Sequence, residues 1–558
     1  MAQNFIKKSI GILLARQTNI LSAAFVIMAT VILSQILGLF RTRLLFSIFG
    51  ASNTLGVYNY ASILPDTIFQ LTIAAALASA FIPVFSEYLA KGEEKDAHKM
   101  ASALLIGGIA VFIALSLILV IFAPSILSIF NGGQNFSAED MKLMATLMKI
   151  IIISQTVYII GMFFSAMLQS YNHFFIPGIA AAFYNLGIIA GVLLLHQHAG
   201  IYAVPLGIIL GSIVFVIVQL PLVRKVGFSF EPTINFFKSK GVHKIFILMW
   251  PRAIQVAVQQ LGTIILAAII AFMAEPGRMH LLFDSAKTLM FAPVSLVGLS
   301  IAQAAFPVLS REKNNLDNFK ITFITSFNQM LYLILPISAF ILVLRIPIVR
   351  LAFGADKFDW PATVLTGHIL AFLSLSIFAQ ALIVLLYRAF YALHNSFIPF
   401  VVSFASTVML IILGYYFVMI QNLSIESIAL AFTLANILQL IILVVILNRR
   451  VGGFTKTLLI LPPLKIFLAS FLTGISLYIP IKLLDQLVFD TTRTINLIFL
   501  TGISSFIGLS FYLFLTWLLN VKEANSFLLI FKRIGNWREI LKSRDEVIDS
   551  ERLNTSSQ

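Results

Sequence analysis

The chain of 558 residues is 59% hydrophobic and only 11% charged, contains no cysteine and carries a formal net charge of +15; its mean hydropathy is +0.99. Soluble domains carry roughly 25% charged residues, so a water-soluble fold is excluded, and the lack of cysteine excludes disulfides, thiolate chemistry and cysteine-ligated metals. The basic residues are scattered between apolar stretches rather than massed in one aromatic-interleaved patch, which excludes a nucleic-acid-binding domain.

The first segment, MAQNFIKKSIGILLARQTN, starts basic, but its apolar run is short and interrupted and no small-residue cleavage site follows. It is expected to be retained as a cytoplasmic or interfacial segment. Spanning helices need about 20 mostly apolar residues, and such stretches predict fourteen spans. They lie near 21–49, 58–89, 100–130, 143–170, 175–195, 200–223, 245–274, 281–309, 321–353, 361–392, 396–420, 425–447, 463–484 and 495–519. The expected fold class is therefore an all-α polytopic membrane protein. Its connections are short, which leaves no room for an extramembrane catalytic domain. The tail from Val521 holds seven basic and six acidic residues and ends in NTSSQ, the pattern of an interfacial helix followed by disorder.

An even number of spans puts both termini on one side. With the N-terminus inside, the inner segments hold 17 Lys and Arg residues, among them Lys91, Lys95, Lys99, Arg224, Lys225, Arg449 and Arg450; the outer connections hold five, Lys142, Arg278, Lys357, Lys482 and Arg493. Lys and Arg accumulate on the cytoplasmic side, so both termini are expected there.

The longest inner connection, 224–244, falls between spans six and seven. On either side of it, Ala80-Phe-Ile-Pro83-Val84-Phe-Ser86 resembles Ala304-Ala-Phe-Pro307-Val308-Leu-Ser310 at an offset of 224, and Phe175-Ile176-Pro177 after Asn172 resembles Phe397-Ile398-Pro399 after Asn395 at 222. These echoes predict a parallel repeat: a six-helix lobe at 1–223, a basic cytoplasmic linker at 224–244, a second six-helix lobe at 245–447, two additional helices at 448–519 and a tail at 520–558. In such folds the substrate site lies between the halves.

Ionisable side chains inside a span are costly and mark function. Arg41, Arg43, Arg252, Lys287 and Arg388 stand against Asp66 and Asp284. Bases outnumber acids, so a cavity lined by them suits an anion, and a diphosphate held bidentately by guanidinium groups is the membrane-borne candidate. Plainer readings stand beside this one. Arg252 and Arg388 are close enough to the cytoplasmic face to snorkel, Asp284 and Lys287 are three apart and able to neutralise each other, and Arg345 and Arg350 suit an anchoring role. Arg41 and Arg43 face different ways, and Arg41 is taken as the cavity residue. Prolines 83, 177, 251, 293, 307, 336 and 399 permit bending. His196-Gln-His198 lacks a third ligand in view and no Walker-type glycine loop occurs, so no metal, cofactor or ATP hydrolysis is expected.

Several segments recur in a familiar order. They are Ser34-Gln35-Ile-Leu-Gly38-Leu-Phe-Arg41 with Phe49-Gly50-Ala51; Ala80 to Glu87; Asn172-His-Phe-Phe-Ile-Pro177 with Asn185-Leu186; Gly207 to Gly211 with Gln219-Leu220-Pro221; Pro251-Arg252 with Gln260; Pro293, Gly298 and Pro307-Val308-Leu309-Ser310; and Arg388-Ala-Phe-Tyr-Ala-Leu393. Together they resemble the MurJ (MviN) family of lipid II flippases, in the multidrug/oligosaccharidyl-lipid/polysaccharide exporter superfamily.

The resemblance implies fourteen helices, two pseudo-symmetric lobes and a central cationic cavity. It also implies movement of undecaprenyl-diphosphate-linked muropeptide from the inner to the outer leaflet by alternating access, in the cell-wall biosynthesis that sets cell shape. Arg41 matches a cavity arginine of the family, and Lys287 falls within one position of another. The candidate substrate-binding set is Arg41, Lys287, Arg252, Arg388, Gln35 and Gln260, with Asp66 and Asp284 as candidate ion or coupling residues. The family commonly has arginine where Gln35 stands, an acid where Thr42 and Gly56 stand, a cavity arginine where Phe69 stands and glutamate where Ala74 stands.

The expected function is a lipid II flippase in the bacterial cytoplasmic membrane, not an enzyme. Its partners would be lipid II, the bilayer and other cell-wall synthesis proteins. The alternatives are an exporter of another polyprenyl-linked glycan or drug, which the lost charges favour, and a non-transporting scaffold. A membrane glycosyltransferase would want paired acids in an outer loop near the bilayer, for which only Asp356 and Asp359 offer themselves.

Overall fold

The computed structural model describes residues 20–74, 80–231, 240–487 and 494–524. The N-terminal segment, Lys238 of the linker, the side chain of Arg252 and the tail beyond 524 lie outside the described residues. Every described element is helical. In chain order they include α1 (Ile20–Phe49), α2 (Asn53–Phe69), α3 (Ile82–Ala90), α4 (Glu94–Ile121), α5 (Ala138–Ser170), α6 (Phe175–Ala199), α7 (Ala203–Lys225), α8 (Lys240–Ile270) and α9 (Pro276–Pro293). Then come α10 (Leu299–Arg311), α11 (Leu316–Val343), α12 (Arg345–Phe353), α13 (Trp360–Ser374), α14 (Ile377–Ala392), α15 (Phe397–Tyr415), α16 (Glu426–Arg450), α17 (Lys456–Leu487) and α18 (Thr494–Leu518).

Among the described residues eleven stretches are long and apolar enough to cross a membrane, or up to twelve if the pair α13 and α14, bent by 44°, is one span. One of the eleven, Phe175–Lys225, is two helices parted at Gly200, whose φ of 54° suits glycine. The second expected span is α2, a π turn at Gln70–Ala74 and α3, with residues 75–79 undescribed. The helices therefore match the fourteen expected spans in order. Two spans stop short of their expected ends. Span three breaks at Phe122 ahead of Pro124, and span nine breaks at Leu344 ahead of Pro347, because proline has no amide to bond the carbonyl four residues back and is tolerated in the first turn of a new helix. The Arg345 guanidinium donates to the Leu342 carbonyl at 2.9 Å across that break.

The helix starts are written locally. Ser52 accepts from the Leu55 amide at 3.2 Å, Ser137 and Asp140 form a reciprocal capping box, and Asn315 accepts from the Asn318 amide at 3.2 Å. α6 and α7 pack through small residues: a Cβ on Gly187 would meet the Gly211 Cα at 2.5 Å, and one on Gly191 the Gly207 Cα at 2.5 Å. The pairing descends on one helix as it rises on the other, which makes the two antiparallel and lets their backbones touch.

The backbone repeats as the sequence does. The π turns at Gln70–Ala74 and Val294–Gly298 start 224 residues apart. Left-handed residues recur at Asn172 and His394, at Gly200 and Asn422, and at Gly227 and Gly452, at separations of 222, 222 and 225. Positive φ and π turns are uncommon, so four matched pairs mark an internal repeat.

By compactness the chain forms two units. The first comprises Met1–Ala286, Val349–Ile369 and Ser403–Ala435, and the second Lys287–Ile348, Leu370–Val402 and Asn436–Gln558. The division passes through α9, α12, α13, α15 and α16.

Candidate functional site

Within the first unit a polar cluster forms in mid-span where α1, α2, α5 and α6 converge. Asp66 lies on α2 with its side chain accessible at the surface of the unit. Its Oδ1 accepts from Gln155 Nε2 of α5 at 2.5 Å, while Ser62, one turn back on α2, donates to the Asn59 carbonyl at 2.8 Å. Gln155 is buried, and its Oε1 has no hydrogen-bond partner among the described residues. The Asp284 carboxylate on α9 is close enough to act on Asp66.

Half-buried Arg41, on α1, lies within electrostatic reach of the hydroxyls of Tyr58, Tyr158 and Tyr184. Tyr158 and Tyr184 are held by ring packing, with Tyr158 4.9 Å from Tyr184, 5.0 Å from Phe215 and 5.7 Å from Phe69, centroid to centroid. A guanidinium in range of three phenols and a nearby carboxylate presents donors and acceptors to an anion bearing hydroxyl or amide groups.

The structure thus brings Arg41, Asp66 and Asp284 into one neighbourhood. Arg43, two residues on, turns away and donates from Nη1 to the Leu351 carbonyl at 3.1 Å. Gln35 sits exposed on α1, six residues before Arg41 and so about 9 Å along the axis. Gln260, on α8, is half-buried. Lys287 and Arg388 belong to the second unit; both are half-buried, and the Arg388 guanidinium stands 5.5 Å from the centre of the Phe306 ring. Reasoning from sequence missed Gln155 and the three tyrosines. Tyrosine is at home at membrane interfaces, so the places of Tyr158 and Tyr184 well inside their spans were the available signal, whereas Tyr58 opens the second expected span and gave none. No group of three or more His, Cys, Asp or Glu able to hold a metal occurs among the described residues.

The same unit is sealed at the end expected to face outward. The Tyr60 hydroxyl donates to the Ala267 carbonyl at 2.9 Å, and the Gly277 amide to Asn53 Oδ1 at 3.0 Å. Lys357 Nζ donates to the Ile48 carbonyl at 2.7 Å, and Phe46 packs edge-on against Phe353 and Phe358 at 5.3 and 4.7 Å. Arg278 grips Asp359 with two bonds of 3.1 Å. At Gly56 an added Cβ would collide with the Gly277 backbone, so no side chain fits where the family commonly has an acid. Phe69, where the family has an arginine, is likewise committed to ring packing on Tyr158.

Many apolar helices in a repeated arrangement, with accessible charges within the spans and a sealed end, define a multi-pass membrane transporter. A sequence profile for the lipid II flippase MurJ matches residues 45–496, and the chain belongs to this family. It is a family of transporters rather than enzymes, and its members are multi-pass proteins of the inner membrane. The chain is 26% identical over 446 residues to the probable lipid II flippase MurJ of Thermotoga maritima, covering 79% of this chain and 86% of that one. It is 23% identical over 414 residues to the lipid II flippase MurJ of Burkholderia cenocepacia, covering 72% and 78%. Among solved structures, a lipid II flippase MurJ in an inward closed conformation superposes with a TM-score of 0.72 at 23% identity, covering 88% of this chain and 98% of the other. An inward-facing MATE transporter of the MOP superfamily gives 0.62 at 13% identity, covering 77% and 98%. Both likenesses establish the fold.

Proposed function

We propose that this protein moves lipid II, the undecaprenyl-diphosphate-linked muropeptide, from the inner to the outer leaflet by alternating access, with Arg41 as the principal contact to the diphosphate. The observation that carries the reading is Arg41 within its span, in electrostatic reach of three tyrosines and in one cluster with accessible Asp66, in a chain whose family match spans residues 45–496. Lys287, Arg252, Arg388, Gln35 and Gln260 complete the proposed substrate path, and Asp66 with Asp284 is the proposed coupling pair. Binding must differ between the two states, since a ligand held equally in both shifts no population.

The lobes are read as 1–223 and 245–447 with both termini cytoplasmic, which makes the sealed end outer. Reciprocal contacts support the repeat. Asn53 and Gly277 are 224 residues apart and bonded to each other. Ile48 is held by Lys357, while Phe272, 224 residues after Ile48, would be struck by a Cβ on Gly133, 224 residues before Lys357. Residues of two repeats meet their own counterparts only near the axis that relates them. Other cell-wall synthesis proteins are proposed partners.

Complementation tests the function. In a bacterium depleted of its resident lipid II flippase, the wild type is expected to restore viability and outer-leaflet lipid II, and Arg41→Ala is expected to fail at equal membrane abundance. A well-inserted wild type that did not rescue would defeat the lipid II reading and favour another polyprenyl-linked glycan, for which the missing charges at Gln35 and Phe69 speak.

A further inference from the structure

The second compact unit contains a cavity of about 630 Å³ where ends of α11, α17 and α18 meet. It shares no residue with the Arg41 cluster or the sealed end. Its lining is chemically divided. Three ammonium groups, Lys320, Lys465 and Lys522, face it together with the oxygen acceptors Asp317, Asn328 and Glu523. Lys320 pairs with Asp317 at 3.3 Å and Lys465 donates to the Leu519 carbonyl at 2.8 Å. Each of these ammoniums is thereby oriented and still has N–H donors to spare.

The acceptors are less well served. Asn328 is only 3% exposed; its Nδ2 donates to the Leu458 carbonyl at 3.3 Å, but its buried Oδ1 has no partner among the described residues. Glu523 Oε2 is buried and unpartnered in the same sense. Buried acceptors without a donor are rare in native proteins, and two of them lining one cavity, one a carboxylate oxygen, call for a ligand whose donors sit on a cation. Beside them the lining is apolar and lipid-facing, with Ile321 64% and Leu461 52% exposed.

We propose that this cavity binds an aminophospholipid of the phosphatidylethanolamine type. The phosphate sits among the three lysines, the primary ammonium donates to Asn328 Oδ1 and Glu523 Oε2, and the acyl chains run along Ile321 and Leu461. Phosphatidylglycerol would satisfy the lysines but offers no cation to the carboxylate. Phosphatidylcholine carries the cation but has no N–H to donate. Of these three headgroups, the charges of both signs therefore select the one that answers both. The site links the last two helices to α11, and it stands whether or not lipid II is the transported substrate.

The test is lipid retention by the full-length protein, purified from vesicles with equal mole fractions of the three lipids and read by native mass spectrometry. Phosphatidylethanolamine is expected to be retained about tenfold over each competitor, the scale of one charge-assisted hydrogen bond. Glu523→Gln should erase its advantage over phosphatidylglycerol, while Lys522→Ala should weaken both about equally. Equal retention of phosphatidylethanolamine and phosphatidylcholine would overturn the proposal, and this comparison needs no variant. An unchanged ranking in Glu523→Gln protein of normal size-exclusion behaviour would also overturn it. Binding of soluble phosphoethanolamine without retention of the lipid would assign the cavity to a free phosphoamine and overturn the lipid assignment.

Discussion

The sealed end and the mid-span cluster of the first unit solve opposite problems. At the seal the decisive contacts run through the backbone: Gly56 lies against Gly277, and carbonyls of Ile48, Ala267 and Leu351 accept from Lys357, Tyr60 and Arg43. Such contacts are specific in shape and offer no surplus charge to a passing anion. In the cluster Asp66 is held by the neutral Gln155 amide, and Arg41, Asp66 and Asp284 keep accessible surface, so they can take up a passing partner. Closure and recognition are separated along the span, so contacts at the seal can break without removing the groups that hold the headgroup.

The strongest way to test that separation is to lock the seal. The chain has no cysteine, so an Asn53→Cys/Gly277→Cys pair introduces the sole possible disulfide. The Asn53 Cγ lies 3.2 Å from the Cβ position at Gly277, close to the roughly 3 Å between a Cβ and the far sulfur in a disulfide of ordinary length and angles. Oxidation is expected to abolish lipid II flipping and a reductant to restore it. Full transport by the cross-linked protein would show that this end does not open. Gly56→Val approaches the same contact sterically. With no room for a Cβ, it is expected to cut flipping more than tenfold while membrane abundance falls far less, since overpacking of this kind typically costs about 1–3 kcal/mol. Equal losses of flipping and abundance would make Gly56 a folding residue only.

Substitutions in the cluster should act on recognition and leave the seal intact. Arg41→Ala is expected to lower flipping by ten- to a hundredfold, the loss of one or two charge-assisted bonds to a phosphate. Arg41→Lys should recover part of it, because a point charge replaces a planar fork. Gln155→Leu removes a donor from Asp66 without removing charge, and several-fold slower flipping is expected. If instead it matched Arg41→Ala, Asp66 rather than Arg41 would be the principal group. In both variants the Asn53–Gly277 cross-link should still form at the wild-type rate.

How much of this could be read in the chain follows the range of the interactions. The spans were legible because a bilayer demands long apolar helices, and the repeat because Pro83 and Pro307, or Asn172 and Asn395, sit at nearly one offset. Arg41, Asp66 and Asp284 were legible as charges in apolar surroundings. Gln155 and the three tyrosines were not, because neutral polar residues are unremarkable in a membrane helix until a carboxylate or guanidinium is found beside them. Gly56 read as a lost acid. Only its approach to Gly277, 221 positions away, shows why a side chain is excluded there, and no local pattern encodes a contact of that separation.

The smallest expected effect tests whether charge contributes to the seal at all. Arg278 and Asp359 form a two-bond pair at its rim, with the Arg278 side chain 24% and the Asp359 side chain 50% accessible. An ion pair this exposed contributes about 1 kcal/mol or less, and salt screens it further. Arg278→Ala is therefore expected to change flipping less than about threefold and to speed the accessibility of a cysteine at Asn53 to a water-soluble maleimide only slightly. Its effect should vanish at high ionic strength. A large, salt-insensitive effect would move Arg278 from the rim into the working part of the seal, and the backbone contacts at Gly56 and Gly277 would no longer suffice to explain closure.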